Sequence, residues 1–387
     1  MRAKGFRIDE TDDTVKTWTA VVEAGGSEKE VWIEFPRDCT LDFRPGDVLA
    51  SWLLLPAMKS GEGVLELDMP VSTRLLEGLD FLQGVFGCWD RSATRVRVVA
   101  EAEETSSPAS GGIGLFFSGG VDSLYSLLRH ESEITHLVLV HGFDIDLADL
   151  AYWSQSIARL GPVASEFGKK LVPIRTNVRD LADAYSGWDM YHGGALAGVG
   201  HALGAVVDAM YIGSTHTYRD MFPWGSHPLL DRHWSSDRVS FVHDGADCTR
   251  VEKVKLLSSS EAALRHLRVC WLNTDGAYNC GVCEKCIRTM TNLTVVGAMD
   301  RYPAFGDAVL ETSQISRMKL RSENDVSFAR ENLEFIQAHG GSPEIERSLQ
   351  VAIRRFGRPT VRSIGRRLVQ AMFGEAAAQR LRAAIRK

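Results

Sequence analysis

The sequence lacks long apolar runs. Its 387 residues contain no stretch that approaches the ~18 uncharged apolar residues that a membrane-spanning helix needs. Residues 1–10 also lack the apolar core of a secretory signal peptide. We therefore expect a soluble, cytoplasmic protein with no membrane span. A chain of this length is expected to form two or three domains with real hydrophobic cores.

Cysteine is scarce, and its few copies are unevenly placed. There are seven cysteines, an odd number, and four of them crowd into the short stretch 270–286. This distribution argues against a disulfide framework and favours a metal site in a reducing compartment. The four follow the pattern Cys-x9-Cys-x2-Cys-x2-Cys, at Cys270, Cys280, Cys283 and Cys286. Four thiolates at this spacing can close a structural Zn²⁺ site, and an iron–sulfur cluster is the alternative.

A lysine is missing from the most distinctive glycine turn of the chain. An apolar strand pattern at 114–117 leads into Ser118-Gly119-Gly120-Val121-Asp122-Ser123, and a helical pattern follows. Because no lysine follows the glycines, the turn is not a GxxxxGK[ST] loop. Two adjacent glycines still let the backbone approach an anion closely, and the amides of the turn and of the helix start converge on one point. That point suits a phosphate chain.

The residue types in this turn fit the cleavage of ATP. Ser118 and Ser123 can donate hydroxyl hydrogen bonds to phosphate oxygens, and Asp122 can hold a Mg²⁺ that neutralises a leaving pyrophosphate. The alternative is a glycine turn that merely ends a core strand. Six residues in this order, between an apolar run and a helical pattern, favour the phosphate site.

Strand and helix patterns alternate through residues 109–300. We expect strands at 134–140, 170–175 and 211–213, with a long helix at 193–210 before the last of them. This order predicts an α/β fold with a doubly wound parallel sheet and ligands at the carboxyl ends of its strands. The loop at 214–228 follows such an end and is rich in histidine, aromatic, arginine and aspartate residues. It suits a planar polar substrate, and a surface loop packed by its own aromatics is the alternative.

Cations follow further along the same region. Arg250, Lys253 and Lys255 precede or begin a predicted helix and are available to reach phosphates. A cation there would offset the charge that develops on a departing pyrophosphate. We expect Arg250 and Lys253 to contribute about equally, whereas a solvated helix charge is as good an interpretation of Lys255.

The front region, residues 1–108, is acidic and mostly strand-like. It has 12 basic and 20 acidic side chains. We expect strands that include the apolar run 48–56, and a single helix from 72 or 73 to 87. A polar, small-residue stretch at 101–112 predicts a linker. This small α+β domain shows no catalytic constellation, so we expect it to serve in substrate recognition, dimerisation or partner docking.

The tail, residues 301–387, is helical in pattern and basic. It carries 16 basic and 9 acidic side chains. In its last predicted helix, one face is apolar and consists of Val361, Ile364, Leu368 and Met372. A basic amphipathic helix suits contact with an anionic membrane or nucleic acid. A solvated bundle helix, or one that docks on the acidic front region of a second subunit in a homodimer, is the interpretation that we favour.

Two motifs together resemble a known family. Ser-Gly-Gly-x-Asp-Ser resembles the pyrophosphate loop of the PP-loop ATP pyrophosphatase superfamily. The lone cysteine followed by Cys-Gly-x-Cys-x-x-Cys and Arg288 resembles the zinc site of the 7-cyano-7-deazaguanine synthase branch, which favours zinc over iron–sulfur. The resemblance covers residues 113–295. The branch has Ser-Lys-x-Glu where this chain has Thr249-Arg250-Val251-Glu252, so an arginine replaces the lysine.

The resemblance implies an ATP- and Mg²⁺-dependent carbon–nitrogen ligase. A substrate carboxylate, such as a 7-deazapurine carboxylate, would attack ATP to give an acyl-adenylate and pyrophosphate. Ammonia or a protein amine would then displace AMP, giving an amide, a nitrile or a nucleobase–protein conjugate. Relatives that attach a deazaguanine to a protein in anti-phage systems suggest the second acceptor, with the front domain binding the target.

Two other functions remain open from the sequence. A tRNA-modifying enzyme needs a basic RNA platform, and the acidic front region argues against nucleic acid as a partner. A nucleotide sensor that binds ATP without turnover is disfavoured by the intact Ser-Gly-Gly-x-Asp-Ser turn.

Overall fold

The computed structural model describes residues 1–104, 110–270, 277–306 and 308–356. The amphipathic face expected at Val361, Ile364, Leu368 and Met372 lies outside these residues. Among the helices that are described, none has both the length and the apolar character that a membrane crossing requires.

The front region combines an antiparallel meander with two helices. Its elements are β1 (Arg2–Asp9), β2 (Val15–Ala24), β3 (Ser27–Pro36), α1 (Pro45–Ser60), β4 (Val64–Leu67), β5 (Val71–Ser72), α2 (Thr73–Trp89), β6 (Arg97–Val99) and β7 (Ala102–Glu103). Strands β1, β2 and β3 pair antiparallel, and β4 pairs parallel with β1 and β6. The expected helix from 72 or 73 is confirmed as α2, where the Ser72 side chain caps the Leu75 amide.

The apolar run 48–56 was expected among the strands, and this prediction is wrong. It forms most of α1, which begins at Pro45 and ends at Ser60, where Gly61 caps the helix in the left-handed conformation with φ of 78°. Thirteen of its sixteen residues are buried, so the helix shows no polar face that periodicity could reveal. The Trp52 indole N–H donates to the Ala195 carbonyl at 3.1 Å, which fixes α1 against the helix beside it.

The second region alternates strand and helix. Its elements are β8 (Ile113–Phe116), α3 (Val121–Arg129), β9 (His136–His141), α4 (Leu150–Glu166), β10 (Lys170–Thr176), α5 (Val178–Ala182), α6 (Trp188–Ala202), β11 (Ala209–Gly213), β12 (Ser240–Asp244), α7 (Arg250–Leu257), α8 (Glu261–His266) and α9 (Glu284–Val295). Strands β8 to β12 are all parallel to their neighbours within this set.

The order of these five strands is that of a doubly wound sheet. They lie side by side as β12-β11-β8-β9-β10, so the chain starts in the middle, builds outward to β10, and then returns to build the other side from β11. The reversal falls between β8 and β11. In such sheets the crevice above the reversal point is where ligands bind. The predicted α/β class is confirmed, and the turn at residues 118–123 lies at this crevice because it follows β8 directly.

One sheet runs through both regions. Strand β10 pairs antiparallel with β3, with Arg175 opposite Glu34, and this pairing joins the meander to the parallel strands in a ten-stranded, mostly parallel sheet. The Arg175 guanidinium donates to both Glu34 carboxylate oxygens at 2.8 and 3.0 Å. One hydrophobic cluster also contains residues of both regions. The sheet therefore continues across the boundary placed at residue 108, and the expected linker is described except for residues 105–109.

Two details of the second region differ from the sequence-based expectation. The helix expected at 193–210 is α6, which begins at Trp188 and ends at Ala202. The expected end at 210 falls in β11 instead, and just before this strand the Asp208 amide donates to the Gly112 carbonyl at 2.8 Å. Strand β12 was not predicted at all.

The remaining described α-helices are α10 (Thr312–Arg317), α11 (Glu323–His339) and α12 (Pro343–Phe356). Helix α11 contacts α7, which carries Arg250 and Lys253, and α9, which begins directly after Cys283 and contains Cys286. The helical pattern expected after residue 301 is therefore confirmed over the described part of the tail, and this part lies against the crevice.

Candidate functional site

The turn after β8 has the backbone conformation that an anion site needs. Gly119 has φ of +73°, a conformation that disfavours any other residue, and a Cβ there would lie 2.8 Å from the Leu160 side chain. The Gly120 amide donates to the Ser118 hydroxyl at 3.3 Å, and the Ser123 hydroxyl donates to the Gly120 carbonyl at 3.2 Å. Helix α3 begins at Val121, directly after the two glycines of the turn. The first amides and the positive end of the helix dipole therefore lie at the crevice.

Asp122, at the start of α3, contacts both predicted cations. Its carboxylate lies 3.2 Å from the Arg250 guanidinium and 3.3 Å from the Lys253 ammonium. A capping box between Thr249 and Glu252 starts α7 and places Arg250 and Lys253 one turn apart on the same face. Burial alone would raise the pKa of Asp122, but the two cations outweigh it and hold that pKa below its usual value.

The cations are more deeply buried than their partner. The side chains of Lys253 and Arg250 are 1% and 6% exposed, whereas that of Asp122 is 21% exposed. The Lys253 ammonium also donates to the Ser214 carbonyl at the end of β11. Two fixed cations against one carboxylate leave an excess of positive charge in a low-dielectric site, which suits a phosphate group.

Lys255 does not join this group. It is exposed, and its ammonium lies 5.8 Å from the centre of the Phe335 ring. Arg288 does join it from α9, where its guanidinium lies 4.1 Å above the ring of Phe328. The side chain of Arg288 is 8% exposed, and Glu284 lies 3.4 Å from it.

Helix α11 closes the crevice from the tail side. Phe328 lies between Arg288 and the ring of His216, whose centre is 5.4 Å away. Glu331 accepts a hydrogen bond from the Arg250 amide at 2.9 Å. Burial raises the pKa of Glu331 to about 7, although that hydrogen bond and the Arg250 charge oppose the shift. The tail thus supplies two buried side chains to the site.

The loop at 214–228 folds over the ends of β11 and β12. His216 packs against Phe222 and Trp224, with ring centres 4.9 and 6.0 Å away. Burial lowers the pKa of His216 to about 4, so its imidazole is neutral at pH 7. The loop is thus packed by its own aromatic side chains, which was the alternative to a substrate-binding loop in the sequence analysis. It also lines a small cavity of about 10 Å³.

The four clustered cysteines meet at one point. Their sulfur atoms all lie within 4.8 Å of one another, with Cys270 to Cys283 at 4.0 Å and Cys280 to Cys286 at 3.9 Å. Sulfurs bound tetrahedrally at ~2.3 Å to one zinc ion stand about 3.8 Å apart, so the spacing fits a single ion. An iron–sulfur cluster places several iron atoms between its thiolates and spreads them further. The residues present therefore fit zinc.

Local backbone geometry supports the same site. The amides of Cys283 and Cys286 donate to the sulfurs of Cys280 and Cys283 at 3.3 and 3.4 Å, and Gly281 has φ of +69°. Such N–H to sulfur bonds stabilise thiolates. The other three cysteines, Cys39, Cys88 and Cys248, lie outside the cluster and form no disulfide with any described residue.

The cysteine cluster is linked to the glycine turn through a short segment. Asn279 accepts hydrogen bonds from the amides of Val269 and Cys270 and donates to the Leu267 carbonyl. Between these, the Arg268 amide donates to the Gly119 carbonyl at 2.7 Å, and its guanidinium lies 3.4 Å from the Ser118 carbonyl. A metal that fixes Cys270 would therefore also fix the turn.

The structure thus brings Asp122 of the glycine turn together with the predicted cations Arg250 and Lys253. It also assembles the four predicted cysteines, and the Arg268 segment links them to the turn. Sequence reasoning missed Arg268, Phe328 and Glu331, and also the buried pair His243 and Asp231. Of these residues, only Asp231 and His243 could have been suspected from the sequence, because both follow soon after the histidine-rich loop at 214–228.

In comparisons with known proteins, no family model matches the chain, and neither curated proteins nor solved structures show a significant match.

Proposed function

We propose that this protein is an ATP-dependent ligase of the PP-loop type that adenylates a substrate carboxylate and releases pyrophosphate. One observation carries the proposal: the Ser-Gly-Gly-Val-Asp-Ser turn lies at the strand-order reversal and Asp122 in it contacts Arg250 and Lys253 at 3.2 and 3.3 Å. A phosphate chain at this turn would meet backbone amides on one side and two buried cations on the other.

The residues divide the work of the first step. Ser118, Ser123 and the amides of Gly119, Gly120 and Val121 bind the β- and γ-phosphates that leave as pyrophosphate. Arg250 and Lys253 turn from Asp122 to phosphate oxygens and offset the charge that develops on them. The Asp122 carboxylate, ionised and partly exposed, is then free to hold Mg²⁺, which neutralises further phosphate charge when bound.

Zinc would be held by Cys270, Cys280, Cys283 and Cys286 in a structural role. Four thiolates leave no open position for water, so the ion supplies stability and not chemistry. Its contribution to the reaction is indirect, through the Arg268 amide that holds the Gly119 carbonyl.

The acid that we favour is a 7-deazapurine carboxylate, in line with the resemblance of the motifs. The test is to incubate the purified protein with ATP, Mg²⁺ and 7-carboxy-7-deazaguanine and to measure AMP and pyrophosphate. Equimolar, acid-dependent formation of both is expected. ADP and phosphate as products would overturn the ligase, and ATP binding without turnover would indicate a nucleotide sensor.

A further inference from the structure

A second group of polar residues lies beside the phosphate site and is not used by the first step. It is centred on Asp231, whose side chain is fully buried. The Asp231 carboxylate accepts hydrogen bonds from the Ser226 hydroxyl at 2.7 Å and the His227 amide at 3.1 Å, and it lies 2.7 Å from Nδ1 of His243. A buried carboxylate that accepts this many hydrogen bonds is fixed in place.

The arrangement determines which nitrogen of His243 is basic. Because the Asp231 carboxylate acts as the hydrogen-bond acceptor, Nδ1 of His243 is the donor, and the neutral tautomer that this contact selects carries its proton on Nδ1. Nε2 then carries the lone pair. Nε2 is buried and has no hydrogen-bond partner among the described residues, and the His243 side chain is only 7% exposed. A histidine oriented in this way by a carboxylate is the usual form of a general base.

His243 lines the small cavity of about 10 Å³ together with Ser214, His216, Phe222 and Trp224. A cavity of this size has room for about one molecule as large as water. Both ring nitrogens of His216 are also buried without a partner among the described residues. Two of the residues that line the cavity, His216 and His243, thus carry ring nitrogens that nothing in the described chain satisfies, and the aromatic rings of the lining can attract a small cation.

The cavity adjoins the phosphate site. Ser214 lines it, and the carbonyl of Ser214 accepts the hydrogen bond from Lys253, which in turn contacts Asp122. His243 stands opposite Ile212 on the neighbouring strand, one position before the paired ends Gly213 and Asp244. A nucleophile in the cavity would therefore lie next to the place where the acyl-adenylate forms.

We propose that this cavity is the site of the nitrogen acceptor, that the acceptor is ammonia, and that His243 is its general base. The inference rests on the proposed function. The nitrogen lone pair attacks the carbonyl carbon of the acyl-adenylate, a carbon–nitrogen bond forms, and the bond from that carbon to the AMP oxygen breaks. AMP leaves with the electron pair, and the proton lost by nitrogen goes to Nε2 of His243. Asp231 is a positioning residue, because it acts through His243.

The test separates the two half-reactions in the variant His243→Gln. Exchange of labelled pyrophosphate into ATP reports adenylation of 7-carboxy-7-deazaguanine. Hydroxylamine traps an acyl-adenylate without needing a general base, whereas amide formation from ammonium needs one. We expect His243→Gln to retain exchange and trapping and to lose amide formation by about 100-fold or more. Asp231→Asn should show the same split, and His233→Gln, which changes a histidine stacked on Phe81, is the control.

Three other outcomes would contradict the inference. If folded His243→Gln keeps amide formation, or loses exchange as well, His243 is not the base for the second step, while the ligase itself stands. A product in which the acid is joined to a protein amine would overturn ammonia as the acceptor. Absence of acid-dependent exchange in the unaltered protein would overturn the proposed function, and this inference with it.

Discussion

The ammonium of Lys253 lies 3.3 Å from the carboxylate of Asp122, and the two residues come from helices 131 positions apart in the sequence. The contact joins the start of α3 to the first turn of α7 above the strand-order reversal. The side chain of Lys253 is 1% exposed, and its ammonium contacts both this carboxylate and the Ser214 carbonyl. In the proposed function, this ion pair is present before ATP binds, and Lys253 exchanges Asp122 for phosphate oxygens when ATP is bound.

Lys253→Met should abolish most of the acid-dependent AMP formation while the fold persists. Methionine fills a similar volume in a buried position, but it cannot offset charge on the departing pyrophosphate. We expect the turnover number to fall by about 100-fold or more. Lys255→Met, an exposed residue of the same helix, is the matched control and should keep activity close to that of the unaltered protein. Equal activity in both variants would remove Lys253 from the catalytic machinery.

Asp122→Asn should weaken both Mg²⁺ dependence and stability. The variant leaves two buried cations without their carboxylate, which we expect to lower the free energy of unfolding by about 1–3 kcal/mol. It should also raise the Mg²⁺ concentration needed for half-maximal AMP formation. Asp247→Asn is the control, because Asp247 pairs with Arg129 at the surface and such pairs contribute at most about 1 kcal/mol. Unchanged Mg²⁺ dependence in Asp122→Asn would contradict the assigned role.

The purified protein should contain about one zinc ion per chain, as measured by elemental analysis. Chelation, or the substitution Cys283→Ser, should lower the free energy of unfolding by about 5 kcal/mol or more, because the free energy of binding a structural zinc ion contributes directly to folding. Activity should fall with it, since Arg268 links this segment to Gly119. Cys88→Ser, which changes an exposed thiol, is the control. Iron in place of zinc, or a chelated protein of unchanged stability, would contradict the site.

Stability should depend on pH through Glu331. Its pKa is about 7 in the folded chain and about 4.5 when unfolded, so folding favours the protonated form. The contribution of protonated Glu331 to the free energy of unfolding is fully present below pH 4.5. It is lost as the pH rises through 7, and the loss amounts to up to about 3 kcal/mol. Glu331→Gln should remove this loss and be the more stable protein at pH 8, as measured by denaturant unfolding. Glu334→Gln, an exposed position of the same helix, should leave the pH dependence unchanged.

Local signals in the sequence were sufficient to place the glycine turn between a strand and a helix. The residues Ser118 to Ser123 are contiguous. The apolar strand pattern before them and the helical pattern after them both indicate a turn at this position. The cysteine spacing was equally local. These features could be predicted because their chemistry is contained within a few neighbouring residues.

The features that were missed depend on distant packing. Helix α1 is buried on nearly every side, so its Leu-rich run has no periodicity to distinguish it from a buried strand. Phe328 and Glu331 reach the crevice only because α11 folds back against α7 and α9. The pairing of His243 with Asp231 depends on β12 lying beside β11, which no local pattern specifies.

The central claim is that the carboxylate of the substrate attacks the α-phosphorus of ATP, and an oxygen-18 transfer experiment tests it most directly. The protein would be incubated with ATP, Mg²⁺, ammonium and 7-carboxy-7-deazaguanine carrying oxygen-18 in its carboxylate, and the AMP would be analysed by mass spectrometry. Acyl-adenylate formation predicts that one labelled oxygen appears in each AMP. AMP without label, or label found only in inorganic phosphate, would contradict the account.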